Sequence, residues 1–151
     1  MKQTCMLGLA VAVGLMMLNL AACATMQGEP EPSLYKRLGG REGIATVVGD
    51  FVANMAGDPR VNARFKEMKG PAVEKLKSNI SDQICDAAGG PCSYLGRDMK
   101  TTHTGMNIAE AEWSATVENL VKALDKHKAG AREKSELLGL LGPMKSDIVG
   151  R

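Results

Sequence analysis

The chain has 151 residues, 44% of them hydrophobic and 24% charged, the profile of one ordinary globular domain. Nineteen basic residues stand against 17 acidic ones with no basic run, which argues against nucleic acid as a partner. Only five residues are aromatic, Tyr35, Phe51, Phe65, Tyr94 and Trp113, so a core of Leu, Ile, Val, Met and Ala is expected.

Residues 1–22 read as a leader outside the fold. Lys2 supplies a positive start and Met6 to Leu18 is a nearly unbroken apolar run. That run is shorter than the ~20 residues a membrane span needs. Leu20-Ala21-Ala22-Cys23 follows, and the whole stretch resembles a bacterial lipoprotein signal cut before the cysteine. The resemblance implies lipidation of Cys23. The alternative is an ordinary secretory signal cut nearby, with Cys23 incidental. Removing the leader costs only Lys2 among charged groups, so 19 basic residues become 18 against 17 acidic. Residues 23–32 carry Pro30 and Pro32 and no apolar period, and read as an extended tether. The expected location is the cell envelope, as a periplasm-facing or outer-membrane lipoprotein. Ala24 after the cysteine, rather than aspartate, favours the outer membrane where a cell has one.

The domain is expected over residues 33–151. Ser33 can cap a short helix from Leu34 to Leu38, ended by Gly39-Gly40. From Arg41 to Ala56, Ile44, Val47, Val48, Phe51, Val52 and Met55 recur at helical spacing. Asp58-Pro59 is a turn that opens a short helix carrying Val61 and Phe65, and Gly70-Pro71 breaks the chain again. Ala72 to Ala88 is the next helix, with Val73, Leu76, Ile80, Ile84 and Ala87 on one face, stopped by Gly89-Gly90-Pro91. A turn-rich loop and one helical turn then deliver His103. Asn107 and Glu110 resemble a capping pair for a helix from Ile108 to about Lys128. The last helix runs from Arg132 to Val149, with a kink or a lost hydrogen bond expected at Pro143. No stretch alternates with period two, so the fold class is all-α.

The sequence lacks a nucleophile elbow, a phosphate-cradling loop and a His-Glu-x-x-His zinc motif. Cys85 and Cys92 flank a helix stop, and in an exported protein such an isolated pair favours a disulfide over two free thiols. No Cys-x-x-Cys-His is present, so any haem is held without thioether links. A lone histidine near a loop, such as His103 taken by itself, is more often hydrogen-bonded or solvated than a ligand, and His127, among lysines, reads as a solvated surface residue.

Ordered motifs add what periodicity does not. They are Leu34-Tyr35-Lys36-Arg37-Leu38-Gly39-Gly40, Ile44 to Phe51, Asp58-Pro59-Arg60-Val61, Leu76-Lys77, Gly89-Gly90-Pro91 and Tyr94. Gly96-Arg97-Asp98-Met99, His103-x-Gly105-Met106-x-Ile108 and Leu141-Gly142-Pro143-Met144-Lys145-Ser146-Asp147-Ile148-Val149 complete the series. With them, Leu34 to Val149 resembles a truncated haemoglobin of the first group, a short globin built as a two-over-two helical sandwich. The resemblance implies haem b as cofactor and His103 as the proximal iron ligand. It implies that Phe65 packs on the porphyrin, that Met99 and Ile108 flank the histidine, and that Leu76 and Ile80 face the gas. Lys77, Lys100 and Arg97 become candidates for the haem propionates.

Two departures bear on function. Many relatives carry Phe-Tyr in the first long helix, where Phe51-Val52 stands here, and glutamine where Ile80 stands. A distal side of Val52, Leu76 and Ile80 offers a gas no hydrogen-bond donor, so weak oxygen retention is expected. Gln83, one turn on, is a candidate to swing in. Asn79 occupies the position of a second histidine ligand in some relatives, so an open or water-filled sixth site is expected. The resemblance implies reversible binding of oxygen, nitric oxide or carbon monoxide by a membrane-tethered protein, with no electron donor identified. The alternatives are a haem enzyme that detoxifies nitric oxide or peroxide, and a haem-free helical lipoprotein that binds partners.

Overall fold

The computed structural model describes residues 31–151, so the leader, the Cys23 lipidation site and most of the tether lie outside the described residues. Six α-helices follow in order. They are α1 (Leu34–Arg37), α2 (Gly40–Gly57), α3 (Pro71–Ala87), α4 (Met99–His103), α5 (Glu110–Lys126) and α6 (Ala131–Leu141). No strand is present among the described residues, only a single parallel bridge between Ile108 and Val149.

Helix α2 packs against both α3 and α5, and α1 packs against α2 and α6, which gives the two-over-two sandwich. The apolar stripe of α2 supplies the centre, with Ile44, Val47, Val48, Phe51, Val52 and Met55 all buried. Leu124 of α5 and Leu137 of α6 are fully enclosed against it. Truncating either to alanine removes a well-packed side chain, a change that costs about 2–5 kcal/mol. Arg37 fixes α1 onto α6 through Glu133 at 2.8 Å and through Glu136.

Two glycine positions show why the chain breaks where it does. A Cβ on Gly43 would lie 2.1 Å from the Leu38 carbonyl oxygen, so only glycine allows α1 and α2 to meet so closely. A Cβ on Gly90 would lie 2.5 Å from the Tyr35 ring and 2.6 Å from Cys85 Sγ. The stop after α3 is therefore packed against α1 as well as turned. Cys85 and Cys92 are joined as a disulfide across that stop, with Cα atoms 5.8 Å apart.

Three sequence expectations change. The short helix after Pro59 is only a 3-10 turn, Asn62–Arg64. The Asp58 carbonyl accepts from Val61 and Asn62, and its carboxylate accepts from Arg60 N at 3.0 Å, so the chain winds around Asp58 instead of propagating a helix. The cap of α5 lies two residues later than Asn107 and Glu110. Asn107 takes the left-handed φ of +47°, and Glu112 reaches back to accept from Ala109 N at 2.9 Å. The last helix ends at Leu141 and continues as a 3-10 turn over Gly142–Asp147, because Pro143 has no N–H for the α-helical ladder.

Candidate functional site

Helix α3 starts on Gly70-Pro71 with proline in its first turn, where a missing N–H costs nothing. Its residues Leu76, Asn79, Ile80, Gln83 and Ile84 recur at steps of three and four, so they share one face. All five line a cavity of about 990 Å³. Phe51 and Met55 of α2, Trp113, Val117 and Leu120 of α5, and Leu138 and Leu141 of α6 close it on other sides. That volume is at the upper end of the ~300–1,000 Å³ typical of ligand sites.

A further part of the wall is α4. This single turn is set by Asp98, whose carboxylate accepts from Thr101 N at 2.8 Å and from Thr101 Oγ1 at 2.7 Å. Those bonds hold the Asp98 carboxyl below its ordinary pKa. The turn presents Met99, Thr102 and His103 to the cavity. His103 Nδ1 lies 2.8 Å from the Met99 carbonyl oxygen. A carbonyl only accepts, so Nδ1 donates, and in the neutral ring this tautomer leaves the lone pair on Nε2. Ile108 stands beyond, held by its bridge to Val149, and Phe65 lies half-buried on the wall.

The site residues expected from sequence therefore converge, with one exception. His103, Phe65, Leu76, Ile80, Met99 and Ile108 all line the cavity. Val52 is 4% exposed and packs in the helical core, off the cavity wall. One residue along a helix turns the side chain by about 100°, and it is Phe51, with Met55 one turn on, that faces the cavity. Trp113 is on the wall as well.

At the rim, Arg97 lines the cavity, whereas Lys77 pairs with Glu74 at 2.9 Å and neither Lys77 nor Lys100 lines it. Sequence reasoning missed Lys75, which does line it. Its place beside Leu76 on α3 was the available signal. Arg64 and Lys145 also reach the cavity but are paired with Glu112 and Glu110. Neither the Lys75 ammonium nor the Arg97 guanidinium has a carboxylate partner among the described residues. The loop between them carries Leu95, 92% exposed, and is anchored by Tyr94, which donates from N to Asp86 at 3.0 Å and from Oη to the Arg97 carbonyl at 2.8 Å.

Gln83 is not extended toward α3's own apolar residues. Its Nε2 lies 3.4 Å from Met99 Sδ and 3.5 Å from Met144 Sδ. All five methionines of the described residues, Met55, Met68, Met99, Met106 and Met144, line this one cavity.

Comparison with known proteins places this geometry. Residues 33–149 match the sequence model of the bacterial-like globin family. The group 1 truncated haemoglobin GlbN of Mycolicibacterium paratuberculosis is 29% identical over 116 residues, covering 77% of this chain and 83% of that protein. The group 1 truncated haemoglobin of Tetrahymena thermophila is 26% identical over 121 residues, 80% of this chain and 98% of that protein. The crystal structure of the Tetrahymena pyriformis truncated haemoglobin in its Fe(III) form superposes with a TM-score of 0.74 at 25% identity, covering 80% of this chain and all of that one. The 2/2 haemoglobin of Synechococcus sp. PCC 7002, with covalently attached haem, gives 0.72 at 26% identity over the same 80% share.

Haem with its iron is the cofactor of that family, and the cavity fits it on its own chemistry. One wall offers an imidazole whose ring is oriented by the Met99 carbonyl at Nδ1, which in the neutral ring keeps Nε2 for a metal. Much of the remaining lining is aliphatic or aromatic, Phe51, Phe65, Leu76, Ile80, Trp113 and Leu120 among it, suited to a porphyrin face. The rim holds two cations, Lys75 and Arg97, suited to carboxylates.

Proposed function

The chain belongs to the family of bacterial-like globins, and on that premise we propose that it is a group 1 truncated haemoglobin that binds oxygen and other diatomic gases on a haem held by His103. We place it in the cell envelope, tethered to a membrane through a lipidated Cys23. Haem-based gas binding is the activity of the family. The identity of the gas, the ligand residue and the tether are our reading of this chain.

The observation that carries the reading is the His103 Nδ1 to Met99 carbonyl bond of 2.8 Å, in a cavity that Leu76 and Ile80 of α3 also line. Haem held there would supply an iron that binds a diatomic gas, and His103 would be the residue that holds the iron. The Met99 carbonyl holds the tautomer that keeps Nε2 unprotonated, and it makes the imidazole a better donor. Leu76 and Ile80 keep water from the gas side and give a gas no hydrogen bond. Lys75 and Arg97 meet the propionates at the rim. The Cys85–Cys92 bridge fits an exported domain, because such bonds persist in oxidising compartments.

The test has two arms. The reduced domain is expected to show a Soret band that shifts with carbon monoxide and is lost in His103→Ala. A His103→Ala protein that keeps the band unchanged overturns the ligand assignment. In cells, the unsubstituted chain is expected in the membrane fraction and Cys23→Ala in the soluble one. Equal membrane retention of both overturns the tether.

A further inference from the structure

We infer that Gln83 is a positioning residue for His103, acting through the side chain of Met99. The inference rests on the reading of His103 as the iron's ligand.

A part-buried amide among apolar side chains costs free energy unless its hydrogens are bonded. Gln83 is part-buried and has two N–H groups, and two acceptors lie in reach, Met99 Sδ at 3.4 Å and Met144 Sδ at 3.5 Å. Thioether sulfur is a weak acceptor but a polarisable one. No oxygen competes for that nitrogen among the described residues. The amide is therefore turned away from the gas side and toward the histidine's own wall.

What it holds there matters. Met99 is the first residue of α4 and His103 the last. Met99 acts twice, since its carbonyl orients the His103 ring at 2.8 Å and its sulfur is held by Gln83. A one-turn helix does not sustain itself, because a single turn fixes several residues for one or two hydrogen bonds. Helix α4 leans on its Asp98 cap and on the 3-10 turn Gly142–Asp147, which is where Met144 sits. One amide thus ties α3, α4 and the C-terminal turn together at the residue whose carbonyl fixes the imidazole. Losing that tie lets Met99 shift and the ring rotate with it.

The measurement is the iron–imidazole stretching band in resonance Raman spectra of the reduced, haem-loaded domain. Gln83→Leu, Gln83→Glu and Met99→Leu are each compared with the unsubstituted protein. Gln83→Glu keeps the side chain's shape and removes both N–H donors, so it reports even where Gln83→Leu does not fold. All three are expected to move the band in the same direction and broaden it. The double variant Gln83→Leu with Met99→Leu is expected to move it no further than either single change. A second readout uses haem-free protein. The Gln83 side-chain amide protons are expected to exchange slowly with solvent, and faster in Met99→Leu. An unmoved band in Gln83→Glu, or fully additive shifts in the double variant, overturns the inference while leaving His103 as ligand. A band that survives His103→Ala overturns the ligand reading and this inference together.

Discussion

The distal character of the cavity turns on single side chains. Leu76 and Ile80 both line it, and neither has a donor. Of the two amides on the same face, Asn79 also lines the cavity, and Gln83 directs its amide hydrogens to two sulfurs. Replacing Ile80 with glutamine puts a donor on the apolar wall. A hydrogen bond to a charge-bearing oxygen is worth roughly 1.5–3 kcal/mol, or about tenfold to a hundredfold in affinity. Oxygen release measured by stopped flow is expected to slow by about that factor in Ile80→Gln, with carbon monoxide release changed less. Equal slowing of both gases would show a packing effect rather than a hydrogen bond. Helical spacing puts Leu76, Ile80 and Gln83 on one face whatever the fold around them, but spacing alone reads as core packing, and it was the family resemblance that joined this face to His103. The place of Val52 was not legible in the sequence. Phe51 and Val52 are neighbours in an all-apolar stripe, and the pattern alone does not say which of two buried residues faces a cavity and which faces a helix. The unpaired state of Lys75 was equally out of reach, since it depends on where the carboxylates of other segments fall.

At the scale of elements, the turns departed from expectation more than the helices did. The long helices follow their apolar periods, but the start of α5 and the turn after α2 are set by polar side chains reaching across the chain. Asp58 is the clearest case. Its carboxylate accepts from Arg60 Nε and Nη2 and from Asn119 Nδ2 at 2.8 Å, and Asn119 is itself only 2% exposed. These bonds, the Arg60 one foremost, hold the Asp58 carboxyl far below the usual carboxylate range. A carboxyl with a lowered folded-state pKa gives stability that is complete above the unfolded value, about 3.9, and is lost as pH falls toward the folded one. Asp50, Glu112, Glu133 and Glu136 are shifted the same way by Lys126, Arg64, a backbone amide and Arg132 respectively. The melting temperature is therefore expected to hold above about pH 5 and fall steadily below about pH 4. Asp58→Asn is expected to melt lower at neutral pH, where it has lost an acceptor with charge, and to lose less on acidification. An Asp58→Asn profile parallel to the unsubstituted one throughout would remove Asp58 from the account.

Across the whole molecule, the cavity and the fold are one problem. A cavity of about 990 Å³ is bounded by α2, α3, α4, α5, α6 and the C-terminal turn, in a domain whose compact unit runs only from Pro32 to Arg151. The core on the α2–α5 side is closed by Val48, Leu124 and Ala123. The other walls have partners on one side only until the cavity is filled, and protein interiors tolerate little unfilled space. Methionine suits such walls, because its flexible thioether adjusts to whatever it meets, and five of them stand here. Stability should thus depend on the cofactor as on any ligand of the native state. A ligand present at 100 times its dissociation constant adds about 2.7 kcal/mol, which raises the melting temperature by several degrees in a domain of this size. Calorimetry of the haem-loaded and haem-stripped domain is expected to show that gap, with the larger loss of protection from hydrogen exchange in α4 and the loop from Ser93 to Asp98. The part of the α2–α5 core built by Val48, Ala123 and Leu124 should stay protected in both forms, because those side chains lie off the cavity wall. With His103 as the proposed ligand, His103→Ala is expected to shrink the gap while leaving that core untouched. Identical melting with and without haem would mean that the walls close on themselves, and would separate the fold from its cofactor.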